Sequence, residues 1–144
     1  MFFEYGIKAG DFANAGKISS EIKKILKQLN IDHKTIKRIV ISLYEAEVNV
    51  VAHSHGGKVS VDIEGDTISI TAKDTGPGIP NIELAMQEGF STASEKVREM
   101  GFGAGMGLPN IKNNTDSFDI KSEPGKGTSL TMTVSLVPEK VYAA

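Results

Sequence analysis

Hydrophobic and polar positions change period several times along the chain of 144 residues. Residues 2–8 are a short, mostly apolar run and predict an edge strand. Ile18, Ile22, Ile25, Leu26 and Leu29 then recur at helical spacing with polar residues between them. Asp11 or Asn14 suits the start of that helix, and Asn30 its end. A second helix begins near Asp32. Ile36, Ile39, Val40, Leu43 and Val50 form one apolar face of it, and Ile41, Tyr44, Val48 and Val51 form another. A helix apolar on two faces is largely buried, so the polar residues inside it require a reason.

The period then falls to two. Residues 58–64 and 67–73 alternate apolar and polar around Gly65-Asp66, the pattern of a β-hairpin. Residues 74–80 break the alternation, a short helix is expected over 81–87, and 88–105 read as a long loop rich in Gly, Ser, Thr and charge. Loops of that length inside a compact domain are usually functional. A helix is expected near 106–115. Phe118 and Ile120 begin a strand, residues 123–127 turn, and Leu130, Met132, Val134 and Leu136 alternate in a last strand. The order predicts one α+β domain over 1–137, with an antiparallel or mixed sheet under helices, and a frayed tail over 138–144.

Composition removes several classes of function. Without cysteine there are no disulfides, thiol catalysis or thiolate metal sites. The net charge of -2, with basic residues scattered, argues against nucleic acid as a partner. No apolar run reaches the roughly 18 residues of a membrane span, and no signal peptide is visible, so a cytoplasmic location is expected. The 15 glycines fall mostly between residues 56 and 127, which places tight turns or close backbone approaches there.

Three stretches carry chemistry. Glu45, Asn49 and His53 are spaced by four and share one face of the second helix. A carboxylate and a carboxamide so placed suit a hydrated Mg²⁺ and a proton acceptor; an exposed polar stripe would look the same. Asp74-Thr75-Gly76-Pro77-Gly78 follows a strand directly. Its carboxylate can accept from an exocyclic amine, and its glycines let the backbone pass close to a flat ring. Gly101-Phe102-Gly103-Ala104-Gly105-Met106-Gly107 precedes a helix, where exposed N–H groups and the positive helix end make a phosphate cradle. Neither a dinucleotide-binding fingerprint nor a Walker A loop surrounds it.

In this order and spacing, with Gly125-Lys126-Gly127-Thr128 last, the pieces resemble the Bergerat-fold ATPases: gyrase, the heat-shock ninety chaperone, histidine kinases and the MutL proteins. That resemblance covers about residues 35–136. It implies a two-layer sandwich, a mixed and mostly antiparallel sheet with helices on one face. Within the superfamily, EAEVNVVAH, ELAMQEGFSTA, GMGLPNIKNNTDSF and SEPGKGT are most similar to the small bacterial serine kinases of the anti-sigma and stressosome switch systems.

The resemblance implies ATP and Mg²⁺ as cofactors. Asn49 would ligate the metal, Asp74 the adenine amino group, and Gly76 and Gly78 would shape the base pocket. Gly103, Gly105 and Gly107 would wrap the phosphates, with Gly101, Met106 and Leu108 binding in the same run, and Thr128 would close the pocket from behind. Glu45 would be the general base toward a serine hydroxyl. The implied partner is a small antagonist-type protein carrying that serine; a sigma factor, a phosphatase and a second copy of the chain are further candidates. Lys96 and Arg98 lie in the long loop, but no basic residue immediately precedes Gly105, as it does in some anti-sigma kinases. The implied activity is therefore a serine/threonine protein kinase. The alternatives are a nucleotide-dependent anti-sigma factor and, last, a stand-alone ATPase or histidine-kinase catalytic domain.

Overall fold

The computed structural model of the chain describes residues 1–79, 82–87 and 107–137. Strand β1 (Phe2–Ile7) leads to helices α1 (Lys17–Gln28) and α2 (His33–His53) and to the hairpin of β2 (Gly57–Glu64) and β3 (Thr67–Asp74). A 3₁₀ turn (Phe12–Asn14), which was not predicted, lies between β1 and α1, and a single turn α3 (Ile82–Ala85), helix α4 (Gly107–Asn114) and the hairpin of β4 (Ser117–Glu123) and β5 (Gly127–Ser135) complete the described elements. The other elements are the predicted ones with shifted ends, the helix expected over 81–87 being the most shortened. The predicted loop 88–105 and the tail 138–144 lie outside the described residues.

The strands form one sheet in the order β1-β2-β3-β5-β4. All four pairings are antiparallel, so no parallel pair occurs among the described strands. Strand alternation sends every second side chain to the helix-covered face. There the register stacks Ile63, Ile68 and Val134 in one row, then Val61, Ile70, Met132 and Phe118, then Val59, Ala72, Leu130 and Ile120. Ile22 and Leu26 of α1, Ile39, Leu43 and Val50 of α2 and Ile111 of α4 close over these rows. Each such side chain, fully buried, contributes roughly 1.5–3 kcal/mol. The other face carries Ser60, Thr71 and Thr131 in one row and Lys58, Lys73 and Ser129 in the next. No helix of the described residues is long and apolar enough to cross a membrane.

The helix ends show how α2 is fixed. Asp32 caps it, its carboxylate accepting from the Thr35 N–H at 3.2 Å. Asn30 closes α1 as predicted: at φ 58° it is left-handed, and the Asn30 and Ile31 N–H groups donate back to Lys27 and Leu26, each at 3.1 Å. The start of α1 departs from expectation. Neither Asp11 nor Asn14 caps it; Asn14 donates to the Asp11 carboxylate instead, and the N-cap position is Gly16. The acceptor comes from α2. Glu47, only 2% exposed, accepts from Gly16 N–H at 2.9 Å and Ser19 N–H at 2.7 Å, with Ile18 N–H at 3.4 Å. Three donors at the positive end of a helix satisfy a carboxylate that burial alone would penalise. Burial is still the larger effect and holds the Glu47 carboxyl above its ordinary range.

Removing that cap leaves buried N–H groups without partners. Glu47→Ala is expected to cost about 2–3 kcal/mol, and Glu47→Gln less, because its single oxygen can still accept. Urea unfolding of both variants measures this; an unchanged midpoint for Glu47→Ala contradicts it.

Candidate functional site

The helix-covered face of the sheet is apolar for three rows and polar in the fourth. That last row is Gly57, Asp74, Thr128 and Ser122, each the register partner of the next. Alternation alone puts Asp74 on the inner face, two residues beyond Ala72 and four beyond Ile70. Its Oδ1 accepts from the Thr128 N–H at 3.2 Å. Among the described residues its second oxygen takes no hydrogen bond, which leaves an acceptor for a ligand's amine. Burial raises the Asp74 carboxyl above its ordinary range, with the Thr128 hydrogen bond and His55 pulling the other way.

The segment after Asp74 is pressed against its surroundings. The Thr75 carbonyl accepts from His55 N–H at 2.7 Å and its N–H donates to Gly56 at 3.0 Å. A β-carbon at Gly76 would lie 3.1 Å from Ser54 Cα. Gly78 sits at φ 75°, and a β-carbon there would be 2.5 Å from the Glu123 carbonyl oxygen. Any larger residue at 78 must therefore both strain the backbone and push β4 away. Gly127 is as constrained, at φ 117° with a β-carbon overlapping the Asp74 carbonyl. The close approaches at Gly76 and Gly78 are thus to the protein's own backbone, and Thr128, 7% exposed, is the buried member of the row.

Helix α2 brings a second group of side chains. Glu45, Asn49 and His53 are half-buried on one stripe of it, while Ala46, Glu47, Val48 and Val50 between them are buried. The stripe is therefore neither core nor free surface. Asn110 of α4 donates to Glu45 Oε1 at 3.4 Å. A β-carbon at Gly107 would lie 3.1 Å from Glu45 Oε2, so the carboxylate lies against the first turn of α4. Burial raises the Glu45 carboxyl, and the Asn110 hydrogen bond opposes that. Burial also lowers the His53 imidazole and favours its neutral form. A carboxylate held above its ordinary range is suited to accept and return a proton.

Gly107 opens α4 and Leu108 is buried in the core, so what Leu108 offers a ligand is backbone. Gly101, Gly103, Gly105 and Met106, with the remainder of the phosphate cradle predicted there and with Lys96 and Arg98, lie outside the described residues. Two residues of the site were not predicted. Asn110 had a signal in its spacing, one helical turn after Gly107. Ser122 had one in the alternation of Phe118 and Ile120, which continues to it.

A half-buried acid at a sheet end, the tightly packed glycines that follow it and a half-buried carboxylate on the long helix are the parts of the site that the fold brings together. Residues 32–138 match the family described as histidine kinase-, DNA gyrase B-, and HSP90-like ATPase, and the chain belongs to that family. It is 30% identical over 112 residues to the serine/threonine-protein kinase RsbT of Bacillus subtilis, covering 75% of this chain and 78% of that protein. It is 34% identical over 118 residues to the anti-sigma F factor of a Thermoanaerobacter species, covering 78% and 79%. A crystal structure of RsbU and RsbW domains from Mycobacterium tuberculosis shares the fold, with a TM-score of 0.59 at 19% identity. That match covers 92% of this chain and 32% of the other, so this chain spans about a third of it.

The Asp74 shift has two consequences of opposite sign. An ionised Asp74 is the form that accepts from an amine, so adenine-nucleotide affinity is expected to fall with acidification, starting above the ordinary aspartate range. A folded-state pKa raised above the unfolded one means the stability linked to Asp74 is lost as pH rises through it, so the nucleotide-free protein gains that stability on acidification. Calorimetry and thermal melting across that window, each compared with Asp74→Asn, check both; a flat difference in either contradicts the assignment.

Proposed function

We propose that this chain is an ATP-dependent serine/threonine protein kinase of a bacterial partner-switching system, acting on a serine of a small antagonist-type protein. The observation that carries this reading is Glu45: a half-buried carboxylate on α2, one turn from Asn49 and against the start of α4. Family membership supports ATP as the phosphoryl donor, and the relative named a serine/threonine-protein kinase supports a protein hydroxyl as acceptor.

The residues fit the cofactors. Asp74 keeps an oxygen without a hydrogen bond among the described residues for the adenine amine, and Gly76 and Gly78 let the segment after Asp74 fold tightly beside it. Asn49 offers one oxygen to Mg²⁺. Mg²⁺ commonly takes its other oxygens from water and phosphates. Bound Mg²⁺ supplies charge neutralisation on the phosphates. Glu45 orients the serine hydroxyl and takes its proton, and burial gives that carboxyl the basicity for the task. The proposed domain spans residues 1–137.

The relatives named anti-sigma F factors favour a second reading, in which the same nucleotide site governs the grip on a sigma factor. Both readings require ATP; only the first requires Glu45.

Two substitutions separate binding from chemistry. Asn49→Ala is expected to lose Mg²⁺-dependent ATP binding, because a metal contact operates in the ground state. Glu45→Ala is expected to keep affinity near wild type and to lose about 10²–10⁴-fold in phosphoryl transfer. Calorimetry and labelled-phosphate transfer to the candidate antagonist read the two effects. Transfer retained in Glu45→Ala removes the base; a wild type that binds a sigma factor tightly and transfers to no protein moves the conclusion to the second reading.

The base pocket makes a separate claim. Asp74→Asn replaces an acceptor with a group that also donates, so ATP affinity is expected to fall by more than tenfold. GTP, which lacks the adenine amine, is expected to bind weakly to the wild type. Equal affinity of the wild type for ATP and GTP contradicts the role of Asp74.

A further inference from the structure

The polar row at the sheet end has a member with no assigned task. Ser122 Oγ accepts from the Ile79 N–H at 2.6 Å. The same oxygen lies 3.1 Å from the Gly127 carbonyl and 3.0 Å from Thr128 Oγ1. A hydroxyl has one proton and two lone pairs. The Gly127 carbonyl can only accept, so it takes the Ser122 proton. The Ile79 N–H fills one lone pair, and the Thr128 hydroxyl donates to the other. All of the hydrogen-bonding capacity of Ser122 is then used, and it joins three segments: the stretch after Asp74, the end of β4 and the start of β5.

This allocation has a consequence for Thr128. Its proton is spent on Ser122, so its oxygen offers only lone pairs elsewhere. Its N–H is spent on Asp74 Oδ1. The two groups at this end of the row, the Asp74 oxygen that takes no hydrogen bond among the described residues and Thr128 Oγ1, are therefore both acceptors. A base edge that donates fits such a pair, and one that presents a carbonyl in the same place meets lone pairs with lone pairs.

Resting on the nucleotide site described above, we infer that Ser122 is a positioning residue of the base pocket: it holds the Asp74–Ile79 segment to the β4–β5 hairpin and fixes Thr128 as an acceptor. Gly78 shows how closely the two parts are drawn together, since a β-carbon there would also meet Ser122 Oγ at 3.0 Å. Ser122 touches no reacting atom in this account. It acts through Ile79, Thr128 and Asp74.

The test uses Ser122→Ala, with Ser122→Thr as the variant that keeps the hydroxyl. Calorimetry with ATP, ADP and GTP, all with Mg²⁺, is read beside amide exchange of Ile79 in the nucleotide-free protein. Ser122→Ala is expected to weaken ATP and ADP by the same factor, about tenfold, because both carry the same base. It is also expected to narrow the preference for ATP over GTP and to speed Ile79 exchange. Ser122→Thr is expected to restore all three. Faster exchange with an unchanged ATP to GTP ratio makes Ser122 a structural tie only and overturns the inference. So does Ser122→Ala binding ATP as the wild type does. A wild type that binds no ATP is a different failure: it overturns the nucleotide reading itself, and Ser122 as a pocket residue with it.

Discussion

The contact on which the arrangement depends is the Glu47 carboxylate against the first turn of α1. A charge at 2% exposure is costly unless hydrogen bonds replace its water. Here backbone N–H groups of Gly16, Ile18 and Ser19 replace it, and these are the donors that a helix start leaves unsatisfied. Each side resolves the other's deficit. The result fixes how α1 lies on α2, and it also fixes the rotation of α2 about its own axis. With Glu47 turned toward α1 and Leu43, Ala46 and Val50 turned toward the sheet, Glu45 and Asn49 must emerge on the remaining stripe. A structural carboxylate thus determines where the proposed base points.

The sheet imposes a matching constraint. Its inner rows are apolar as far as Val59, Ala72, Leu130 and Ile120, and then the helical cover meets a row that is polar. Asp74 and Ser122 are half-buried and Thr128 is buried where the core ends, all three within paired strands. That setting keeps their side chains in place with little loss of entropy on binding. It also raises the Asp74 carboxyl by burial, the same physical effect that acts on Glu45. Both carboxylates lie at the border of the core, so folding itself tunes them. The glycines at 78 and 127 follow from the same crowding, because no side chain fits between β4, β5 and the segment that leaves β3.

Much of this was legible in the residues. Period-two alternation through Val59, Val61 and Ile63, and again through Ile68, Ile70 and Ala72, located the hairpin and its turn at Gly65. The i,i+4 spacing of Glu45 and Asn49 put them on one stripe, and the strand preceding Asp74 put it at a sheet end. The start of α1 was misjudged because the cap is not local: Glu47 lies 28 to 31 residues away from its partners, and helix-start rules look only at neighbours. The buried polar position at 47 was visible as an anomaly on a two-faced apolar helix, but its partner was not. Asn110 and Ser122 escaped for a similar reason. Spacing placed Asn110 a turn after Gly107 and Ser122 on the face of Phe118 and Ile120, but each gains its partner from a pairing across elements, of α4 with α2 and of β4 with β5 and the Asp74 segment.

Phosphoryl transfer to a protein hydroxyl is the step on which the proposed function stands. Its most direct measurement is phosphoamino-acid analysis after incubating the wild-type chain with γ-labelled ATP, Mg²⁺ and a small antagonist-type protein. The account predicts phosphoserine on the antagonist and none on the chain itself. Label recovered only as free phosphate, or as acid-labile phosphohistidine, would contradict it.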